Sequence, residues 1–298
     1  MRKNLVLLLV LLLMGCSPQV DNEEVDALNV LAPKGAPGLS LLGYADTYGN
    51  EKITLVDGTD VISAALLNPN PEYDVIIAPI NLGALTITKG SDYRLLGVIT
   101  WGNLYLVGNT KLIDSELPLA MFGEGAVPQK VVENAIDLST LNKDIQYFNS
   151  VADVQVALLT EKAAYGLLAE PLLTATLGKA TQSGIELEVI YDIQAEYNIK
   201  NSTSGYPQAA VFVLNSVYQD SKTAVDDLVA HLSAFNAETV ANLLSGQEEL
   251  YGVPPLAIIT QAFDNMNIEY HSATDVQNEI TVFLKLFSID NIDELLVK

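Results

Sequence analysis

The 298-residue chain carries 37 acidic against 15 basic residues, a formal net charge of −22. A surface of that sign is repelled by nucleic acid and by anionic lipid headgroups, which excludes a basic nucleic-acid-binding role. Hydrophobic residues make up 49% and charged residues only 17%, the composition of a well-packed globule and not of a disordered acidic tail.

The chain begins with Arg2 and Lys3, an apolar run from Leu5 to Leu13, and small Gly15 before a cysteine. This is the pattern of a processing signal, and the run is too short to span a bilayer, which takes about 20 apolar residues. Residues 1–15 are therefore set apart from the fold. Leu13-Met14-Gly15-Cys16 resembles a bacterial lipobox, and the resemblance implies that the Cys16 thiol is diacylglycerated and the peptide cut just before it. Stable anchoring takes more than one acyl chain. The alternative is an ordinary secretory signal with an unrelated cysteine beyond it. Cys16 is the sole cysteine, which excludes an internal disulfide and speaks against a Cys-based metal site. Loss of Arg2 and Lys3 takes the net charge to −24 over about 283 residues, enough for two domains of moderate size.

Residues 16–27, with Asp21, Glu23, Glu24 and Asp26, form an acidic tether. Beyond them β-type runs are expected at 28–32, 53–56, 75–78, 94–100, 104–107, 117–122, 145–148, 165–169, 186–191 and 209–214. Helices are expected between most of them, at 37–48, 60–67, 82–88, 128–141, 151–160 and 171–183. Such alternation predicts an α/β fold with largely parallel sheets. After Leu214 the pattern turns almost wholly helical, through 217–244, 255–266 and 275–286. Only Trp101-Gly102-Asn103 separates two apolar strands, too little for a crossover helix, so the chain is expected to pass there from one sheet to a second. The extended stretch from Tyr206 to Leu214 returns it. Lobe I then comprises 28–103 and 206–298 with its C-terminal helices, and lobe II 104–205, joined by a two-strand hinge. A single mixed sheet with an antiparallel edge strand is the alternative.

Four segments carry a resemblance over nearly the whole mature chain. They are Asn29-Val30-Leu31-Ala32-Pro33-Lys34-Gly35-Ala36-Pro37, Glu72-Tyr73-Asp74-Val75-Ile76-Ile77-Ala78-Pro79, Tyr165-Gly166-Leu167-Leu168-Ala169-Glu170-Pro171, and Ala209-Ala210-Val211-Phe212-Val213-Leu214 before a long helix. In order and spacing they resemble the periplasmic-binding-protein type II fold. The more specific likeness is to the substrate-binding lipoproteins of the nitrate, taurine and thiamine-precursor importer group. The resemblance implies a solute-binding component of an ABC importer with a permease and an ATPase as partners, held at the extracytoplasmic face of the membrane by its lipid. A monomer without cofactor is expected.

Ligands of open α/β sheets sit beyond the carboxyl ends of strands, where loops converge and helix N-termini offer free N–H groups. Candidates at such ends are Lys34 and Gly35, Asn81, Gly123 and Glu124, Asn149, and Glu170. Each has a plain structural reading beside it: a strand-to-helix turn, a helix cap, a surface carboxylate. Trp101, the only tryptophan, and Tyr206 lie at the hinge and could stack on a planar ligand, although core packing serves them equally. Tyr44 and Tyr105 are weaker candidates of the same kind. Arg94 is the only arginine of the mature chain against twelve lysines, so a bidentate clamp on sulfonate or phosphate has one possible source. A neutral or cationic planar ligand, such as a vitamin-precursor heterocycle, is therefore expected ahead of nitrate or a sulfonate.

His231 and His271 fall in or beside the expected C-terminal helices and lack metal-ligand spacing, and no Gly-x-Ser-x-Gly or His-Glu-x-x-His stretch is present. A non-enzymatic protein is expected. Three other readings stay open: a lyase or dehydratase on the same fold using Glu170 or Glu124, a binder of sulfonate-type anions, and a lipoprotein that serves a sensor or adhesion.

Overall fold

The computed structural model describes residues 25–298. The processing signal, the Cys16 lipobox and residues 16–24 of the tether lie outside the described residues. The described strands are β1 Val30–Pro33, β2 Ile53–Val56, β3 Val75–Pro79, β4 Tyr93–Trp101, β5 Leu104–Asn109, β6 Leu119–Phe122, β7 Ile145–Phe148, β8 Tyr165–Ala169, β9 Leu187–Asp192, β10 Pro207–Leu214 and β11 Ile268–Ser272. They form two sheets, β11-β4-β10-β3-β1-β2 and β7-β6-β8-β5-β9.

The strands of the first sheet read as near-continuous apolar runs because both of its faces are covered. In β3, Ile76 and Ala78 join one core and Val75 and Ile77 the other. In β10, Ala210 and Phe212 go one way and Ala209, Val211 and Val213 the other, as the two-residue period of a strand requires. The first of these cores continues through Trp101, Leu104, Tyr206 and Phe283 into the second sheet.

The sheets are mixed, which corrects the expectation of largely parallel ones. Among the described strands parallel pairing is confined to β2-β1-β3 and β7-β6-β8, with one isolated parallel bridge between Leu95 and Leu296. By contrast β10 runs antiparallel to β3 and β4, and β5 antiparallel to β8 and β9. The cause is the pair of direct crossings: β4 ends at Trp101 and β5 starts at Leu104, while 202–206 leads back into β10. A strand arriving from the other sheet enters at the end where the parallel strands finish, and so it runs against them.

The C-terminal third also departs from expectation. The segment read as one helix over 217–244 is three, Asn215–Asp220, Lys222–Ala234 and Ala237–Leu243, the last capped by the Asn236 side chain. Ile268–Ser272 is a strand, β11, paired antiparallel with β4, so His271 sits on a sheet edge and not on a helix. The helix Ile193–Asn201, which follows β9, was not expected.

Candidate functional site

The carboxyl ends of β1 and β3 in one sheet face those of β6 and β8 in the other across a cavity of about 460 Å³. Its walls are largely apolar, with Pro33, Pro37 and Pro79 on one side and Val127, Pro128 and Pro171 on the other. Among the described residues no aromatic side chain lines it, and neither does any lysine or arginine. Its polar groups are Thr59, Asn81, Thr100, Asn103, Glu170 and Gln208.

Helices open onto the cleft from both sheets. Ile80–Thr88 follows β3 directly, and Val127–Ala135 follows the turn after β6; neither has a side-chain cap. Their first backbone N–H groups, which no helical carbonyl can accept, therefore border the cavity with the positive end of the helix dipole behind them. Leu172–Ser183 is different. The Glu170 carboxylate reaches its first turn, where Oε2 accepts from the Thr174 N–H at 3.0 Å and Oε1 from the Thr174 hydroxyl at 2.8 Å.

Among the described residues Glu170 is the one ionisable residue lining the cleft, and only 4% of it is exposed. Loss of hydration pushes its carboxyl above the ordinary value of 4.5, opposed in part by the bonds from Thr174 and the Asn265 side chain. A carboxyl raised on folding contributes stability that is fully present below its unfolded value and is lost as pH rises through the folded one. Wild-type stability relative to Glu170→Gln is thus expected to fall between pH 4 and pH 7. Urea midpoints at the two pH values check this, and a difference that grows with pH would contradict it.

Of the residues singled out in the sequence, Gly35, Asn81 and Glu170 line the cleft. Gly35 has φ of 89° and its N–H donates to Tyr251 O at 2.8 Å; only glycine holds that backbone without strain. Lys34 does not line it: its Nζ is 2.9 Å from Asp57 Oδ2, which draws the ammonium aside. Gly123 and Glu124 form the turn that leads to Ala126, Val127 and Pro128, and it is these last three that line the cavity. Asn149 is not among the lining residues either. Its neighbour Ser150 caps helix Val151–Leu159 by accepting from the Asp153 N–H. Ser150→Ala is expected to cost about 1 kcal/mol of stability with ligand affinity unchanged, measured by denaturant titration beside calorimetry.

The aromatic candidates lie elsewhere. Trp101 sits behind the crossing, its Nε1 donating to Glu269 O at 3.0 Å and its ring edge-on to His271 at 5.3 Å. Alternation along β4 explains this, since Thr100 faces the cleft and its neighbour must face away. Tyr206 is fully buried, stacked 6.0 Å from Phe283 and edge-on to Tyr197 at 5.1 Å. Tyr44 is tied to Leu28, its hydroxyl accepting from the Leu28 N–H at 2.6 Å, and Tyr105 is buried in the second sheet. Arg94 donates to Ser91 O and Tyr93 O at the far end of β4, so the only arginine among the described residues takes no part in the cleft.

Sequence reasoning missed Asn103 and Gln208. Asn103 stands in the first crossing, read there only as a connection. Gln208 follows the second crossing, where the β10–β4 register slips between Pro207 and Ala209; such irregularities re-aim side chains and have no clear sequence signature.

No protein-family model matches the chain, and no curated protein matches it. Solved structures do. An ABC transporter protein from Parabacteroides distasonis is 24% identical, with 90% of this chain and 94% of that one covered and a TM-score of 0.71. The periplasmic aliphatic sulphonate-binding protein SsuA from Escherichia coli is 15% identical, covering 92% and 93% with a TM-score of 0.65. The alkanesulfonate-binding SsuA from Xanthomonas axonopodis pv. citri, bound to MOPS, is 12% identical, covering 92% and 97% with a TM-score of 0.59. These likenesses, with the two sheets, show a two-lobed fold of the periplasmic-binding-protein type II class. No described helix is long and apolar enough to cross a membrane.

Proposed function

We propose that the protein is the extracytoplasmic solute-binding lipoprotein of an ABC importer, taking a small neutral or cationic ligand between two lobes that close about the crossings. Residues 28–103 with 206–298 form one lobe and 104–205 the other. The observation that carries this reading is a proline-walled cleft between two sheets whose sole ionisable lining group, among the described residues, is the carboxyl of Glu170. A cavity of about 460 Å³ is of the size that holds small organic ligands.

Closure follows from differential binding. A ligand that touches both walls contacts the closed form more fully than the open one, and only that difference shifts the balance between them. The closed form would then dock on a permease driven by an ATPase. Fold neighbours include sulfonate binders, and two uncapped helix N-termini border the cleft, but among the described residues an anion there would meet the Glu170 carboxyl and no lysine or arginine, so we place sulfonates second. The cleft offers proline faces and no aromatic ring, so nothing in it selects for a flat ligand as such. Catalysis has little support, because both Glu170 oxygens are engaged by Thr174 and both histidines lie elsewhere.

A thermal-shift screen of amines, vitamin-type heterocycles and taurine tests the ligand class. Stabilisation by taurine, with none by the amines and heterocycles, would overturn it. Cys16→Ala is expected to move the protein from the membrane fraction to the soluble one; retention on the membrane would contradict the lipid anchor.

A further inference from the structure

The two crossings each bring one amide side chain to the cleft. Asn103 directly precedes β5, and Gln208 is the second residue of β10. Both line the cavity, and the side-chain carbonyl oxygen of each has no protein hydrogen-bond partner although it is shielded from solvent. A shielded carbonyl left without a donor is destabilising, so such groups are rare in folded proteins unless something else satisfies them.

The polarity of Asn103 is fixed by its surroundings. Its Nδ2 donates to Glu170 O at 3.1 Å, and the Glu170 N–H donates back to Asn103 O at 3.1 Å. The nitrogen must therefore point at Glu170, which leaves Oδ1, on a residue only 5% exposed, as an acceptor and not a donor. Among the described residues the Gln208 amide makes no hydrogen bond, and its Oε1 is shielded from solvent. Asn81, two residues past the Pro79–Ala209 pair that joins β3 to β10, has a third unpartnered carbonyl.

We infer that Asn103 and Gln208 are specificity-determining residues that bind the N–H donors of an amine, amide or amidine group, so that the ligand bridges the two crossing strands. This deepens the solute-binding reading and rests on it. A donor group held by both strands would be bound at the hinge itself, which ties recognition to lobe movement in one contact. The absence of lysine and arginine among the lining residues removes competition for the two acceptors, and the Glu170 carboxyl adds attraction for a cation. A ligand bearing only acceptors would leave both carbonyls unsatisfied and so be rejected.

The test uses the full chain and four probes on one skeleton: benzamidine, benzamide, acetophenone and benzenesulfonate, followed by calorimetry and thermal shift. Affinity is expected to fall in that order, with benzenesulfonate not binding. Gln208→Met removes an acceptor that has no other partner; it is expected to weaken benzamidine by about tenfold while leaving the unliganded melting temperature unchanged or higher. A purely structural role would instead lower the melting temperature and spare affinity. Tighter binding of acetophenone or benzenesulfonate, or a Gln208→Met affinity equal to wild type, overturns the inference and leaves the solute-binding reading standing. Failure of all four probes to bind overturns the inference, while the solute-binding reading is decided by the thermal-shift screen.

Discussion

Gly102→Ala is expected to destabilise the protein by about 3 kcal/mol, at the upper end of ordinary overpacking, and to lower the melting temperature by roughly 6–12 °C. The added methyl would sit 2.1 Å from the Tyr206 ring and 2.1 Å from Gln194 Oε1. Gln194 can swing aside, but Tyr206 cannot: it is fully buried between Tyr197 and Phe283. The second crossing repeats the arrangement more loosely, since a methyl on Gly205 would stand 2.9 Å from the Trp101 ring, and Gly205→Ala should cost less. Both crossings thus pass with bare backbone against an aromatic face. Thermal and urea denaturation of the two variants check the order; a neutral Gly102→Ala would mean that the crossing is not packed as described.

Ala126→Trp is expected to reduce ligand affinity by about tenfold to a hundredfold with little change in stability. Ala126 lines the cleft, is solvent-exposed, and makes no side-chain cap for the helix it precedes, so the structure accommodates an indole at small cost. A form closed about a ligand, as proposed, would not, because the ring would occupy the space between Val127 and the opposite wall. Overpacking costs about 1–3 kcal/mol, and each 1.4 kcal/mol is tenfold in affinity. Benzamidine titration beside a melting curve separates the two effects. Affinity preserved at wild-type level would place the ligand elsewhere than this cavity.

Much of the architecture is legible in the sequence because it rests on local signals. β-Branched runs such as Val75-Ile76-Ile77, bounded by polar residues and proline, give the strands nearly to the residue. Trp101-Gly102-Asn103 marks the crossing because it is too short for anything else. Less legible is whatever depends on long-range pairing. The alternation Ile268-Glu269-Tyr270-His271 is a strand pattern, yet it is brief and flanked by helical stretches, and only the free edge of β4 makes it one.

The cleft was legible in its loops and not in its lining. Gly35, Asn81 and Glu170 stand at strand ends, where position alone suggests a ligand. Trp101 and Tyr206 drew attention through chemistry, but large aromatic rings are expensive to leave in water and here fill the core behind the hinge. The residues that took their place, Asn103 and Gln208, are ordinary amides whose importance appears only when the three-dimensional arrangement leaves their oxygens unpaired.

Two lobes that close on a donor-bearing solute held at the crossings become more compact when it binds. Small-angle X-ray scattering of the full chain, with and without saturating benzamidine confirmed by calorimetry, reads that change. A smaller radius of gyration with benzamidine and an unchanged one with benzenesulfonate are predicted. An unchanged scattering curve at demonstrated benzamidine saturation would contradict it.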